Sequence, residues 1–592
     1  MITIRLAAGL AASLAAGLIL AAAASAQPLA RVEGVEDAAL RDGLVTALGE
    51  ADGEAPSRWR ARERAQDAAD IARRYFRSKG YYAAVVEPRL GEDDRPVIRV
   101  APGGRYRFLS VGVDYDTPAG EDRTPRSDLA GALTVKAGDP VDAGAVIAAE
   151  AEVLAALRDG GWPFAQAGER DIVVDHLVRG ARGVFNYDTG PYAMLAEPRL
   201  TGGDAELREG FVTVLAPWSR GDEARRSVLD TYQERLESLE AVSSARVEVS
   251  READGRLHPV DVVAEAAPKH RVEGAVSYST SEGAGAEARW TRRNLFGGDE
   301  RLSAGLKAAT IDSGAELIFV APHWRRYAQR FEAKTAYSAE RTDSFDRDAA
   351  ELAAELSRPL NRYLTGSIGA EAQRAQTRDA AGERDLTTLS AILGLSYDGR
   401  DDVLDPRAGW FAEAETRPSQ TFGDEDVRYL RSVAGVRAYW GFSDDMVLAG
   451  RVRLGSLVGA EAREAPADQR FYAGGGGSVR GYGYQALSPE LDDTALAATT
   501  TEFDFFGGAS LAEVSAELRW RRSERLGFAA FIDGGAASLD VTPDFSGMRY
   551  GAGLGVRYYP GFGPLRLDIA APLDKRPDDD PVHVYISIGQ AF

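Results

Sequence analysis

Residues 582–592, VHVYISIGQAF, end the chain with apolar and polar side chains in alternation. Successive side chains of a β-strand point to opposite faces, so a period of two predicts a strand with one apolar face. The apolar face of this last segment consists of Val582, Val584, Ile586, Ile588 and Phe592. We therefore predict a closing strand that buries one face in an apolar medium.

Two earlier segments, residues 514–521 and 565–569, show the same alternation. Their second face carries charged side chains, among them Glu517, Arg519 and Asp568. A soluble β-sandwich would also bury one face. Charges on the opposite face of one segment after another favour a transmembrane barrel, with lipid outside and a wet lumen inside.

The alternating pattern extends from about residue 270 to the C terminus and is divided by short polar or Gly/Pro-rich connections. About 320 residues at roughly 20 per strand and connection give about 16 strands, an even number as antiparallel closure favours. Closure is needed because each unpaired backbone group in hydrocarbon costs several kcal/mol. We predict an outer-membrane β-barrel over residues 270–592.

The first 26 residues have the features of a secretory signal peptide. A positive charge at Arg5 precedes the apolar run 6–20, and Ala24-Ser25-Ala26 supplies small residues for cleavage before Gln27. The alternative is a membrane anchor, but the run is shorter than the roughly 20 apolar residues of a span. We predict an exported protein with a signal peptide at residues 1–26.

Composition limits the kinds of partner and chemistry. The chain has 70 Lys and Arg against 91 Asp and Glu, for a formal charge of −21, and no basic run that would favour nucleic acid. It has no cysteine, and its five histidines lack metal-ligand spacing. The acidic stretch Asp398–Asp405 could be a calcium site but lacks the spacing of an EF-hand, so we favour a charged turn. We expect no enzyme activity, no cofactor and no metal.

A helix, a glycine stop and a strand recur in the N-terminal half. Gly80 ends a helix predicted over residues 65–79, and Gly161 follows a second helix at a distance of 161 − 80 = 81 residues. The second helix has an apolar face of Ile147, Ala151, Leu154 and Leu157, and the third one of Leu229, Tyr232, Leu236 and Leu239. We predict three α+β modules at residues 27–104, 105–190 and 191–269.

Residues 469–484, QRFYAGGGGSVRGYGY, form the most distinctive stretch of the chain. Four glycines before Ser478 indicate a flexible loop, and Arg480 gives that loop a fixed cation. The alternatives are a phosphate-binding loop, which would need a Lys-Ser/Thr ending and a following helix, and a plain surface loop.

Val479-Arg480-Gly481-Tyr482 resembles the loop motif of the outer-membrane protein assembly superfamily, which includes the BamA, TamA and two-partner secretion families. Residues 397–406, 531–535 and 293–297 also match family patterns. The N-terminal modules, from Pro28 to about Pro268, resemble the POTRA domains of that superfamily. A set of three modules resembles the TamA family more than the BamA family. This resemblance implies a TamB-like periplasmic partner.

The resemblance also implies that Arg480 lies in the lumen and pairs with an aspartate of a barrel strand, here Asp533. Parity supports this position, because Leu526, Phe528 and Ile532 alternate outward and place Asp533 inward. The alternative is that Asp533 only caps a turn before Gly534.

The function implied by the resemblance is insertion or secretion of barrel proteins such as autotransporters at the outer membrane, with the POTRA domains in the periplasm. Unfolded clients would add a strand to a POTRA sheet edge, at residues 246–250 or 260–263. They would then leave through a barrel seam weakened by Gly274 and Gly589. The other seam residues are Val276, Ile586 and Phe592, and we take Val276 and Ile586 as the candidate pair for a crosslink across the seam.

Four alternatives remain open from the sequence. The protein could be a dedicated two-partner secretion pore or a passive porin. The modules could serve as rigid spacers, and the seam could stay permanently closed.

Overall fold

The computed structural model describes residues 28–51, 55–119, 121, 123–125, 129–490, 503–560 and 565–588. The predicted signal peptide and two predicted seam residues, Gly589 and Phe592, lie outside these ranges. The chain divides into two compact units, and the third module belongs mostly to the same unit as the barrel.

The first module has the order β1 (Arg31–Glu33), α1 (Ala38–Leu48), α2 (Arg58–Ser78), β2 (Val85–Leu90) and β3 (Pro96–Ala101). Its sheet has the strand order β1-β3-β2. Helix α2 begins earlier than the predicted residue 65, because Ser57 caps it by accepting a hydrogen bond from the Arg60 N–H. Small side chains at Ala68 and Ala72 let α2 pack closely on the sheet, in one cluster with Val86 and Ile98.

The second module consists of β4 (Arg107–Asp116), a 3-10 helix (Leu129–Ala132), α3 (Ala143–Asp159), β5 (Gln166–Ala167), β6 (Asp171–Asp175) and β7 (Gly180–Asp188). Strand β7 pairs in parallel with β4 and antiparallel with β5 and β6. The predicted apolar face of α3 was wrong in part, since Leu157 is buried and Leu154 packs against the core but Ile147 is 57% exposed. The buried face is Val146, Ala149, Val153 and Leu157.

The third module consists of β8 (Met194–Gly202), α4 (Glu209–Leu215), α5 (Arg226–Glu237), β9 (Val242–Val249) and β10 (Leu257–Ala266). Its predicted helix face is buried, and the Tyr232 hydroxyl donates to the Val212 carbonyl at 2.9 Å. The sheet order is β8-β10-β9, so β10 is central. The prediction that residues 260–263 form a free edge was therefore wrong, and β9 is an edge strand. No helix within the described ranges is both long and apolar enough to cross a membrane.

The prediction of a closed antiparallel barrel of about 16 strands is confirmed. Within the described residues each strand pairs with the next, and the first pairs with the last. The sixteen strands of this described part are β11 (His270–Ser279), β12 (Gly283–Arg293), β13 (Arg301–Ala309), β14 (Asp312–Ala321), β15 (Arg330–Arg341), β16 (Phe345–Pro359), β17 (Leu364–Asp379), β18 (Gly382–Asp398), β19 (Ala408–Gly423), β20 (Val427–Ser443), β21 (Met446–Val458), β22 (Ser510–Arg521), β23 (Leu526–Ser538), β24 (Arg549–Tyr558), β25 (Leu565–Pro572) and β26 (His583–Ile588).

The two faces of the barrel wall follow the alternation in the sequence. Trp520 and Ile569 are exposed on the outside, whereas Glu517 and Asp568 point inward. The expectation of a wet lumen was wrong in this part of the barrel, because both carboxylates are 0% exposed. The connection between β21 and β22 covers them, so the inner face is a packed polar interior here.

The third module docks on the turn between β12 and β13, residues 294–300, which we call the joint turn. The Asp299 carboxylate accepts the N–H groups of Ala241, at 2.8 Å, and Glu240, at 3.4 Å. The chain also passes from β10 into β11 through residues 267–269 alone. The module is thus held at two places beside the first barrel strand.

Charged pairs surround this contact. The Glu240 carboxylate binds Arg293, at 3.3 Å, and Arg301. Arg208 pairs with Glu300 at 2.9 Å. A Cβ at Gly297 would lie 2.9 Å from the Arg208 Cγ, so the close approach of the module requires glycine there.

Burial raises the pKa of the Asp299 carboxyl to about 6, although the backbone donors favour its charged form. Because this value lies above the usual value of about 4, the contribution of Asp299 to stability is full below about pH 4 and is lost as the pH rises through about 6. In Asp299→Asn the amide keeps an acceptor but does not titrate. We expect the free energy of unfolding of the wild type, relative to Asp299→Asn, to fall by about 2 kcal/mol between pH 4.5 and 7.5.

Urea unfolding of the detergent-solubilised proteins at several pH values measures this difference. If the free energies of unfolding of the wild type and Asp299→Asn differ by the same amount at every pH, the raised pKa of Asp299 is contradicted.

Candidate functional site

The connection between β21 and β22, residues 459–509, folds into the barrel, and we call it the lumen loop. Its described parts are 459–490 and 503–509. Phe471, Val479 and Tyr482 of the loop are buried in one cluster with Leu457 and Leu511 of the wall. The loop is therefore packed in place by apolar contacts, in addition to any charge.

Arg480 is the centre of the site and is 2% exposed. Its Nε and Nη2 donate to the two carboxylate oxygens of Asp533 at 2.6 and 3.0 Å, which is a bidentate pair. Its Nη1 donates to Glu517 at 2.9 Å and to Asp568 at 3.0 Å. The guanidinium also lies 3.4 Å from the centroid of the Phe531 ring.

Further arginines neutralise the same carboxylates. Arg519 Nε donates to Glu517 at 2.8 Å, and Arg557 contacts both Glu517, at 3.5 Å, and Asp568. Each buried charge therefore faces opposite charges. Such a network has its stabilising value only when complete, because one missing partner leaves an uncompensated buried charge.

Local sequence explains why the loop can approach the wall so closely. A Cβ at Gly551 of β24 would lie 2.0 Å from the Arg480 carbonyl oxygen. A Cβ at Gly535 would lie 2.7 Å from Val479 Cγ2. The two glycines leave the space that the Val479-Arg480 backbone occupies.

The structure places Asp533 within β23, paired with Ser515 and Gly551 of the adjacent strands. The alternative that Asp533 only caps a turn was therefore wrong. Glu517 and Asp568 point inward as their parity predicts, but sequence reasoning missed them as partners of Arg480. The sequence signal that could have identified them is an isolated carboxylate at an inward-facing position on each of these strands.

A second buried arginine of the loop was also missed. Arg470 Nη2 lies 2.8 Å from the Asp379 carboxylate at the end of β17, and Arg384 of β18 binds the same carboxylate at 2.8 Å. Arg470 also donates to the carbonyls of Phe506, at 2.9 Å, and Ala465, at 3.0 Å. The loop is thus attached to the wall at β17–β18 as well as at β22–β25.

The seam between β11 and β26 is short in the described part of the chain. Tyr278 pairs with Ile586 and Ser279 with Tyr585, and the Thr280 N–H donates to the Val584 carbonyl at 3.1 Å. The β11–β12 ladder, by contrast, runs through all of β11.

The predicted facing of Val276 and Ile586 across the seam was wrong by two residues. Val276 pairs with Ala286, and Gly274 with Ala288, both in the β11–β12 ladder. Ile586 instead faces Tyr278.

The acidic stretch after β18 is a turn closed by its own backbone. The Asp401 carboxylate accepts N–H groups of Arg407 and Ala408 at 3.0 and 3.1 Å, and Asp402 accepts that of Leu404 at 2.7 Å. Across the described residues, no group of three or more His, Cys, Asp or Glu side chains could hold a metal ion.

Comparison with known proteins identifies relatives. The sequence model of the Omp85 superfamily domain matches residues 294–592. The outer membrane protein assembly factor BamA of Nitratidesulfovibrio vulgaris is 27% identical over 341 residues, which are 54% of this chain and 41% of that protein. BamA of Neisseria meningitidis serogroup B is 22% identical over 560 residues, 84% of this chain and 68% of the relative.

A crystal structure of BamA from Haemophilus ducreyi lacking POTRA domains 1–3 has a TM-score of 0.67 at 16% identity, over 82% of this chain and 100% of that chain. At this identity the likeness shows the fold alone.

The Arg480 network predicts unequal effects of removing its members. Arg480→Ala leaves Asp533, Glu517 and Asp568 without a shared cation, so we expect a loss of about 3–5 kcal/mol in the free energy of unfolding. Asp533→Ala should cost less, because Arg480 keeps two carboxylates. The double variant should cost less than the sum of the two.

Urea unfolding measures all three variants, with Arg437→Ala as the control. Arg437 pairs with Glu413 on a more exposed part of the wall, and its loss should cost less than about 1 kcal/mol. Additive losses for Arg480 and Asp533 would show that the two do not act as a unit.

Proposed function

Because the chain belongs to the Omp85 superfamily, we propose that it is a protein insertase or translocase subunit of the outer membrane. The observation that carries this proposal is the lumen loop, which is held in the barrel by a buried arginine network beside a seam whose ladder is short among the described residues. A filled lumen does not serve diffusion, whereas a short seam offers a lateral path. The barrel and the superfamily together indicate an outer-membrane location.

The finer parts of the proposal concern clients and partners. The N-terminal modules act as POTRA domains in the periplasm and receive unfolded outer-membrane proteins such as autotransporters. A TamB-like protein delivers these clients. The chain carries out no catalysis, and its function is to lower the barrier to strand insertion in the bilayer.

Two other functions make different demands on the barrel. A passive porin needs an open lumen, so planar-bilayer recordings of this protein should lack a large, stable conductance. A dedicated secretion pore moves its exoprotein through the lumen, and therefore needs the loop to leave but not the seam to open.

The capture step of the proposal uses the β9 edge. The Ser250 N–H donates to the Pro259 carbonyl at 2.8 Å, toward β10. Because such bonds alternate along an antiparallel strand, the N–H of Val247 points away from β10 and is available to a client strand. Affinity would come from main-chain hydrogen bonds, which suit clients of different sequence.

Val247→Pro removes this outward N–H without removing a ladder bond of the sheet, a position that edge strands tolerate. We expect photocrosslinking of an unfolded client to β9 to weaken about fivefold or more. Val247→Ala keeps the N–H and is the matched control. Unchanged crosslinking in a folded Val247→Pro protein would exclude the β9 edge as the capture site.

The release step of the proposal is tested by a disulfide across the seam. Tyr278 and Ile586 are direct partners with side chains about half exposed on the outer face, at 50% and 49%. The Cα separation of such partners suits a disulfide, and the chain has no other cysteine. Oxidised Tyr278→Cys/Ile586→Cys should lose client insertion into liposomes, and reduction should restore it.

Val276→Cys/Ala286→Cys is the matched control, because it crosslinks the neighbouring β11–β12 ladder. Full insertion by the oxidised seam variant would rule out lateral opening. Secretion through the lumen would be unaffected by the seam disulfide, which separates the two functions.

A further inference from the structure

The lumen loop contacts both sides of the seam from inside the barrel. The Gly476 N–H donates to the Glu282 carboxylate at 2.9 Å, and Glu282 lies in the turn between β11 and β12. The Gly481 N–H donates to the Tyr585 hydroxyl at 3.2 Å, and Tyr585 belongs to β26. One short stretch of the loop therefore bridges the first and last strands of the barrel.

The fit around Gly476 is tight on both sides. A Cβ at this position would lie 2.9 Å from Tyr585 Cδ1 and 3.3 Å from Glu282 Oε1. Tyr585 is 2% exposed, and its hydroxyl also donates to the Tyr482 carbonyl at 3.4 Å. Gly476 thus lies between one residue of each seam side, which makes the contact specific.

We propose that Glu282 is a latch residue, which holds the β11 side of the seam closed by binding the lumen loop. Its importance for client insertion rests on the proposed function, but its effect on the seam does not. A hydrogen bond to a carboxylate is stronger than one between neutral groups. In the described part of the seam this bond adds to two ladder pairs and to the two hydrogen bonds between Thr280 and Val584.

The other attachments of the loop decide which side opens. Arg480 binds carboxylates of β22, β23 and β25, and Asp568 belongs to the strand next to β26. On the β26 side the loop is therefore held by a buried ionic network. Directly beside the seam on the β11 side, the carboxylate of Glu282 holds the loop, so separation of the seam releases Glu282 first and leaves the loop with β26.

Local geometry prepares Glu282 for this role. Its own N–H donates to the Ser279 hydroxyl at 2.9 Å, which fixes the turn directly after the last paired residues of β11. A cavity of about 430 Å³, lined by Glu282, Tyr484 and Tyr585 among others, lies beside the latch. The carboxylate has room to turn away when the bond to Gly476 breaks.

Hydrogen exchange of the full-length protein in lipid nanodiscs, read by mass spectrometry, tests the latch directly. In Glu282→Ala we expect amides of residues 278–280 and 584–586 to exchange at least about tenfold faster than in the wild type, because one charge-assisted hydrogen bond is lost. Glu282→Gln keeps an acceptor oxygen and should restore most of the protection. Amides of β17 and β18 should not change in either variant.

Glu287→Ala is the matched control, since Glu287 lies on β12 of the same hairpin and faces Lys307 at 3.7 Å. A second variant, Gly476→Ala, keeps Glu282 but places a methyl group against Tyr585, and should also speed exchange at the seam. Wild-type exchange at the seam in a folded Glu282→Ala protein would overturn the proposal.

The hydrogen-exchange experiment tests the latch separately from the proposed function, because no client protein takes part in it. Faster seam exchange in Glu282→Ala with unchanged client insertion would support the latch and contradict insertion through the seam. Unchanged seam exchange, with insertion still blocked by the Tyr278–Ile586 crosslink, would overturn the latch and leave the function standing.

Discussion

A guanidinium removed from water must be paired with an opposite charge and fully hydrogen-bonded, and this requirement at Arg480 shapes the barrel interior beside β22–β25. It demands inward-facing acids on three strands, which Asp533, Glu517 and Asp568 provide. It also demands that the loop backbone come very close to the wall, which the glycine at residue 551 allows. This buried charge fixes the path of the loop along β22–β25, and the apolar cluster around Phe471 and the Arg470–Asp379 pair hold the rest of the loop in the lumen.

The sequence predicts those parts of the structure that depend on local periodicity. Alternation along each barrel strand places Asp533 inward, and the strand count follows from the length of the pattern. The helical face that includes Tyr232 also follows from spacing alone. In α3 the same method fails, because alanines and valines on several faces leave the phase ambiguous, and Ile147 is exposed.

Local periodicity in the sequence does not predict contacts between strands that lie far apart along the chain. The pairing of Tyr278 with Ile586 depends on how much each strand is staggered around the whole barrel. The predicted seam pair, Val276 with Ile586, was therefore wrong by two residues. The central position of β10 depends on pairing with a strand that precedes it by two helices. Asp379 and Arg470 lie far apart in sequence and meet only because the loop folds back across the lumen.

The separations in sequence of the lumen-loop contacts indicate an order of assembly for the barrel itself. Arg480 lies 37, 53 and 88 residues from its three carboxylates, whereas Gly476 lies 194 residues from Glu282. The closing pair of Thr280 and His583 is 303 residues apart. Because closing a longer chain segment costs more entropy, the C-terminal strands can fold around the loop as a nucleus before the N-terminal strands join. The arginine network would then act as a template in biogenesis, and circularisation of the sheet would be the last event.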